Sequence, residues 1–131
     1  MNDFLFWIGL YNLSAPFVFL PMLFSESFAD LVLRRATEII AEPYAHGPYG
    51  RMWLLWVTTV NVGIGAIMML ATQWSLGAQR EIIWTVFGIY FAMWLAMLVG
   101  ARGPRWGRGV YVTHGLWIAQ MSWAVWALTH E

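Results

Sequence analysis

The stretch GIYFAMWLAMLVG, Gly88–Gly100, carries no charge and repeats a small residue at every fourth position: Gly88, Ala92, Ala96 and Gly100. It is the inner part of an uncharged run, Ile82–Ala101, that is 20 residues long. A helix rises about 1.5 Å per residue and the hydrocarbon core of a bilayer is about 30 Å thick, so about 20 such residues cross it. Three further runs also lack Asp, Glu, Lys and Arg: Phe4–Phe24, Met52–Trp74 and Val110–Leu128, of 21, 23 and 19 residues. The chain of 131 residues is 60% hydrophobic and 11% charged, where a soluble domain is about 25% charged. The expected fold is all-α, an integral membrane four-helix bundle. It forms one transmembrane domain over residues 1–131, with spans near 4–24, 52–74, 82–101 and 110–128.

The first run reads as a span rather than a cleaved signal peptide. It is preceded by MND, with Asp3 and no basic residue, and LFSES after Pro21 offers no small-residue cleavage pattern. The chain has no cysteine, which excludes thiol–disulfide chemistry, thiolate metal sites and a cysteine nucleophile. Net charge is zero and no basic run points to nucleic acid.

All seven basic residues are Arg. Arg34, Arg35 and Arg51 lie in the first connection, Arg102, Arg105 and Arg108 in the third, and Arg80 alone in the second. Basic residues are retained on the cytoplasmic side. Both termini and the second connection are therefore expected outside, in the periplasm of a bacterial inner membrane, with the other two connections cytoplasmic.

The first connection contains ESFADLVLRRATEIIAE, Glu26–Glu42. Phe28, Leu31, Val32, Ala36, Ile39 and Ile40 form one helical stripe, while Asp30, Arg34 and Glu38 recur four apart on another face. This predicts an amphipathic helix over 26–42. Its apolar side faces either the membrane interface or the end of the bundle. In the third connection, Arg102, Arg105 and Arg108 around Trp106 suit anionic lipid headgroups. Of the ten Trp residues, seven lie near span ends, as an interfacial belt requires, and Trp94, Trp117 and Trp123 lie deeper.

Spans associate through close backbone approach, because lipid tails are as apolar as leucine. The line Gly88, Ala92, Ala96 and Gly100 is thus a packing groove. Its expected partner is span two, through Gly63 and Ala66, or span four, through Gly115 and Ala119; a second copy of the chain is the alternative. Asn12, Asn61, Tyr90 and Gln120 fall at one mid-membrane depth on four helices, where an unsatisfied polar group costs several kcal/mol, on the order of what amide transfer to hydrocarbon costs. They are expected to form a polar layer inside the bundle, either as interhelical glue or as a ligand site. Pro16 has no N–H to offer the Asn12 carbonyl, which interrupts span one at the same level. Pro21 repeats the effect on Phe17.

His114 is the only histidine inside a span, so a haem or a chlorin magnesium would be held there. Otherwise no cofactor or metal is expected. There is no paired carboxylate within the membrane, no metal-binding motif and no phosphate loop, so the reading is non-enzymatic. The expected role is that of an accessory or scaffold subunit, or a protein that binds lipid-like, hydrophobic molecules. Its partners are membrane lipids and another membrane protein or a second copy of itself, with no nucleic acid. A small oligomeric transporter or channel using the polar layer is the other reading.

Overall fold

The computed structural model describes residues 1–37, 48–100 and 108–130. Six helices account for nearly all of them: α1 (Asn2–Leu13), α2 (Ala15–Phe24), α3 (Glu26–Thr37), α4 (Pro48–Ala71), α5 (Leu76–Gly100) and α6 (Arg108–His130). No strand occurs among the described residues. The protein is all-helical. Two of its helical stretches, Asn2–Phe24 and Leu54–Ala71, are long and apolar enough to cross a membrane.

The helix boundaries follow local chemistry. α1 and α2 form one helical stretch broken at Ser14, two residues before Pro16. The Ser14 N–H reaches the carbonyls of Leu10 (3.0 Å) and Tyr11 (3.2 Å), and its hydroxyl donates back to Tyr11 O at 2.6 Å. Phe17 N–H then donates to Ser14 O at 3.0 Å. The missing proline N–H is thus absorbed by one tightened turn. Pro21, in contrast, sits inside α2 without ending it. Ser25, extended at φ −132° and ψ 109°, stops α2. Its hydroxyl accepts from Phe28 N–H at 3.2 Å and so caps α3. Ser75 does the same for α5, accepting from Ala78 N–H at 3.4 Å. The end of α4 is closed by Gln79, a buried side chain whose Nε2 donates to Thr72 O (3.3 Å) and Trp74 O (3.1 Å).

The long helices alternate in direction. Met1 and Phe4 from the start of α1 share one apolar cluster with Ala71 from the end of α4, Ile83 from early α5 and Leu128 from the end of α6. A smaller cluster at the other end joins Met22, Ala29 and Leu54. α1 touches α4, α5 and α6, whereas α2 touches α3 and α4 but neither α5 nor α6 among the described residues. The chain diverges from the second pair of helices below the Ser14 break, and α3, packed on both α2 and α6, bridges the separation.

Of the predicted amphipathic helix, 26–37 is helical and 38–42 lies outside the described residues. Ala29 is fully buried, with Phe28 and Val32 half-buried beside Met22 and Leu54, while Leu31 stays exposed. Of the stripe, Phe28 and Val32 therefore pack on the Met22–Ala29–Leu54 cluster and Leu31 does not, while Ala29, outside the predicted stripe, is the most deeply buried of the described residues of α3.

Over its described residues, the small-residue line does not meet span two or span four within the chain, as the first of its two expected partners required. Gly88, Ala92 and Ala96 are exposed, and a Cβ built on Gly88 would meet nothing within 4 Å. Gly63 and Gly115 are likewise open. The inward face of α5 is instead Ile83, Val86 and Tyr90, with Phe87 and Trp94 against the same cluster. At about 100° per residue, positions two apart lie on nearly opposite sides, so seating Tyr90 inward turns Gly88 and Ala92 outward. The burial of Gly100 lies outside what the structure describes. The close helix crossing is elsewhere, between α1 and α4. A Cβ on Gly65 would stand 2.7 Å from the carbonyl oxygen of Gly9 and 2.8 Å from the nitrogen of Leu13.

Candidate functional site: a buried amide–phenol pair

Asn12 sits one residue before the end of α1 and is 1% exposed; Tyr90, midway along α5, is 7% exposed. They meet across the bundle. Asn12 Nδ2 donates to Tyr90 Oη at 2.6 Å and to the carbonyl oxygen of Ile8, one turn back, at 2.7 Å. This settles which way round the amide lies. Turning it over would aim Oδ1 at the Ile8 carbonyl, two acceptors face to face. Both amide protons are thereby used. Oδ1 is buried and accepts no hydrogen bond.

The other two members of the expected layer do not join the pair. Asn61 is half-buried and its Nδ2 donates to Val57 O in its own helix at 2.8 Å. Gln120 is buried on α6 without a bond to Asn12 or Tyr90. Thr58, which the sequence reading did not single out, is buried and donates to Leu54 O at 2.7 Å. A hydroxyl or amide that can fold back on its own helix satisfies itself without a partner.

One turn along α5 from Tyr90, the half-buried Trp94 meets His114 of α6 edge to face, with ring centroids 6.4 Å apart and planes at 85°. His114 is 7% exposed. The indole Nε1 of Trp94 is a buried donor with no acceptor. Its spacing of four from Tyr90 was the available signal that both face inward. His46 lies outside the described residues, and His130 is exposed 16 residues further along α6, about 24 Å away along a helix. Arg102, Arg105 and Trp106 fall outside the described residues, and only the backbone of Arg108, at the start of α6, is described.

The interior therefore presents fixed hydrogen-bonding atoms in apolar surroundings. Such an arrangement orients a polar group and excludes bulk solvent. Compared with known protein families, curated proteins and solved structures, the chain matches none.

Proposed function

We propose that this protein is an integral membrane four-helix bundle, with spans formed by α1–α2, α4, α5 and α6, that serves as an accessory or scaffold subunit binding a lipid-like molecule. The observation that carries this reading is how much large apolar surface stays exposed while uncharged polar side chains are buried. Asn12, Thr58, Gln79, His114 and Gln120 are buried, while Phe17, Phe24, Trp56, Leu70, Val99, Tyr111 and Trp126 are exposed. Phe17 and Phe24 reach 81% and 87% exposure. Only 33% and 28% of the two long apolar stretches is buried, where the central helix of a soluble core is covered on most sides. In water that outer surface would cost about 25 cal/mol for each Å² of apolar area; in lipid it costs nothing. The uncharged stretches Ile82–Gly100 of α5 and Val110–Leu128 of α6 support extending the same environment to them.

The orphaned Asn12 Oδ1 and Trp94 Nε1 support a bound polar head inside that apolar frame. The divergence of α2 from α5 and α6 supports a lateral way in for a hydrocarbon tail. The Arg-rich first and third connections support a cytoplasmic assignment for that end, and both termini lie opposite. Extraction decides the membrane reading: the full chain should stay in the pellet after alkaline carbonate treatment and leave it only with detergent. Mass spectrometry of the protein purified in mild detergent should find a copurifying amphiphile or membrane protein, depleted in an Asn12→Leu variant. Recovery of the chain in the aqueous fraction would sink the proposal.

A second reading, a haem or chlorin held by His114, is supported by the burial of that ring against Trp94. Visible absorbance of the purified protein, lost in His114→Ala, tests it.

A further inference from the structure

We infer that Asn12 and Tyr90 together form a binding site for a single hydroxyl group, which donates to Asn12 Oδ1 and accepts the phenolic proton of Tyr90. The inference rests on the buried pairing of these two side chains within the bundle and names the chemistry that the pairing selects.

The hydrogen-bond inventory sets the terms. An amide side chain offers two protons and one oxygen with two lone pairs; a phenol offers one proton and can also accept. Both Asn12 protons are used, on Ile8 O and on Tyr90 Oη. Tyr90 acts as the acceptor in that bond, so its own proton is left to donate. No hydrogen bond from it runs to a described residue. Oδ1, in a side chain 1% exposed, is a buried acceptor without a donor. The pair is thus left with one acceptor and one donor side by side. Each would bear a desolvation penalty alone.

Covalent geometry puts them within reach of one atom. The oxygen and nitrogen of a primary amide are about 2.2 Å apart, from C–O and C–N bonds of about 1.23 and 1.33 Å. Tyr90 Oη is 2.6 Å from Nδ2. Oδ1 and Oη are therefore at most about 4.8 Å apart, and an oxygen about 2.8 Å from each bridges any separation up to about 5.6 Å. The group that fits must donate and accept at the same oxygen. A hydroxyl does both. A carbonyl or ether cannot donate to Oδ1, and an ammonium cannot accept from Tyr90. Water and an alcohol headgroup share this chemistry.

Solid-state NMR on the full chain in lipid bilayers tests it, with ¹⁵N in the Asn side chains and ¹³C in the Tyr rings. Dipolar recoupling between Asn12 Nδ2 and Tyr90 Cζ first reports the pairing. Proton magnetisation transfer to the Asn12 amide is then read from water and, in a second sample, from 1-decanol labelled at its hydroxyl-bearing carbon, with decane as the matched control. We expect transfer from one of the two hydroxyl sources and none from decane, and a fall of about threefold or more in Tyr90→Phe. A water signal assigns an internal water, and a decanol signal assigns an amphiphile's headgroup. An intact pairing with transfer from neither source overturns the hydroxyl site while leaving the polar pair standing. Loss of the recoupling itself removes the pairing and the site with it.

Discussion

Gly9 of α1 and Gly65 of α4 cross backbone to backbone, so close that a methyl group on Gly65 would lie 2.7 Å from the Gly9 carbonyl oxygen and 2.9 Å from Leu13 Cγ. The Gly9 carbonyl oxygen and the Leu13 nitrogen, which would stand 2.8 Å from that methyl, are backbone atoms and cannot swing away as a side chain would. This crossing brings α1 against α4 and holds Asn12, three residues on from Gly9, at the depth where it meets Tyr90.

Gly65→Ala should therefore destabilise the bundle by about 1–3 kcal/mol, the usual cost of overpacking. Gly88→Ala, at an open position, should be neutral or gain up to about 1 kcal/mol from helix propensity. Denaturation by a graded mixture of mild and harsh detergent would rank the two; equal effects would contradict the crossing. Gly9→Ala should fall between them, because its Cβ would stand 3.1 Å from Met69 Cγ and 3.2 Å from Gly65 O and Met68 Cβ, a milder overlap than at Gly65.

The Asn12–Tyr90 bond should show as a coupling energy in a double-mutant cycle. Interhelical hydrogen bonds in membrane proteins average about 0.6 kcal/mol and reach about 1.7. Asn12→Leu, Tyr90→Phe and their combination, compared by the same denaturation, should give a coupling in that range. Asn61→Leu combined with Tyr90→Phe should give none, since Asn61 bonds within its own helix.

Docking of α3 on the bundle predicts an asymmetry along its surface. Ala29→Leu should cost about 1–3 kcal/mol by overpacking a fully buried site, while Leu31→Ala, at a position 47% exposed, should change stability little. Ser25→Ala should cost about 1 kcal/mol through loss of the α3 cap. A helix lying only on lipid would reverse the first pair, Leu31→Ala weakening membrane attachment and Ala29→Leu having no effect.

Topology is open to direct labelling because the chain has no native cysteine. In intact cells, Ser75→Cys should react with a membrane-impermeant maleimide, whereas Arg34→Cys should react only after permeabilisation. The opposite pattern would invert the orientation drawn from the Arg distribution.

Much of this architecture was legible in the amino-acid order. Uncharged runs mark the long helices and Pro16 marks the break between α1 and α2, while the capping serines at 25 and 75 went unread. Each mark is a local property, settled by charge or by a missing N–H within a few residues. Among the described residues, Trp94, Trp117 and Trp123 are half-buried, while Trp7, Trp56, Trp74, Trp84 and Trp126 are exposed.

What only the tertiary structure decided is which side of each helix turns inward. In a soluble protein, hydrophobic periodicity carries that information, because one face meets water. Here large apolar residues are exposed as well as buried, so the Gly88, Ala92 and Ala96 line and the Tyr90, Trp94 line share a period of four and are indistinguishable as patterns. The same ambiguity hid Gly65 behind Gly63 in NVGIGA. It also hid the fact that Asn12 finds Tyr90 while Asn61, at the same depth, bonds to its own backbone. Depth is written along the chain; rotation about each helix axis is set by which backbones can approach, and that is a property of pairs of helices.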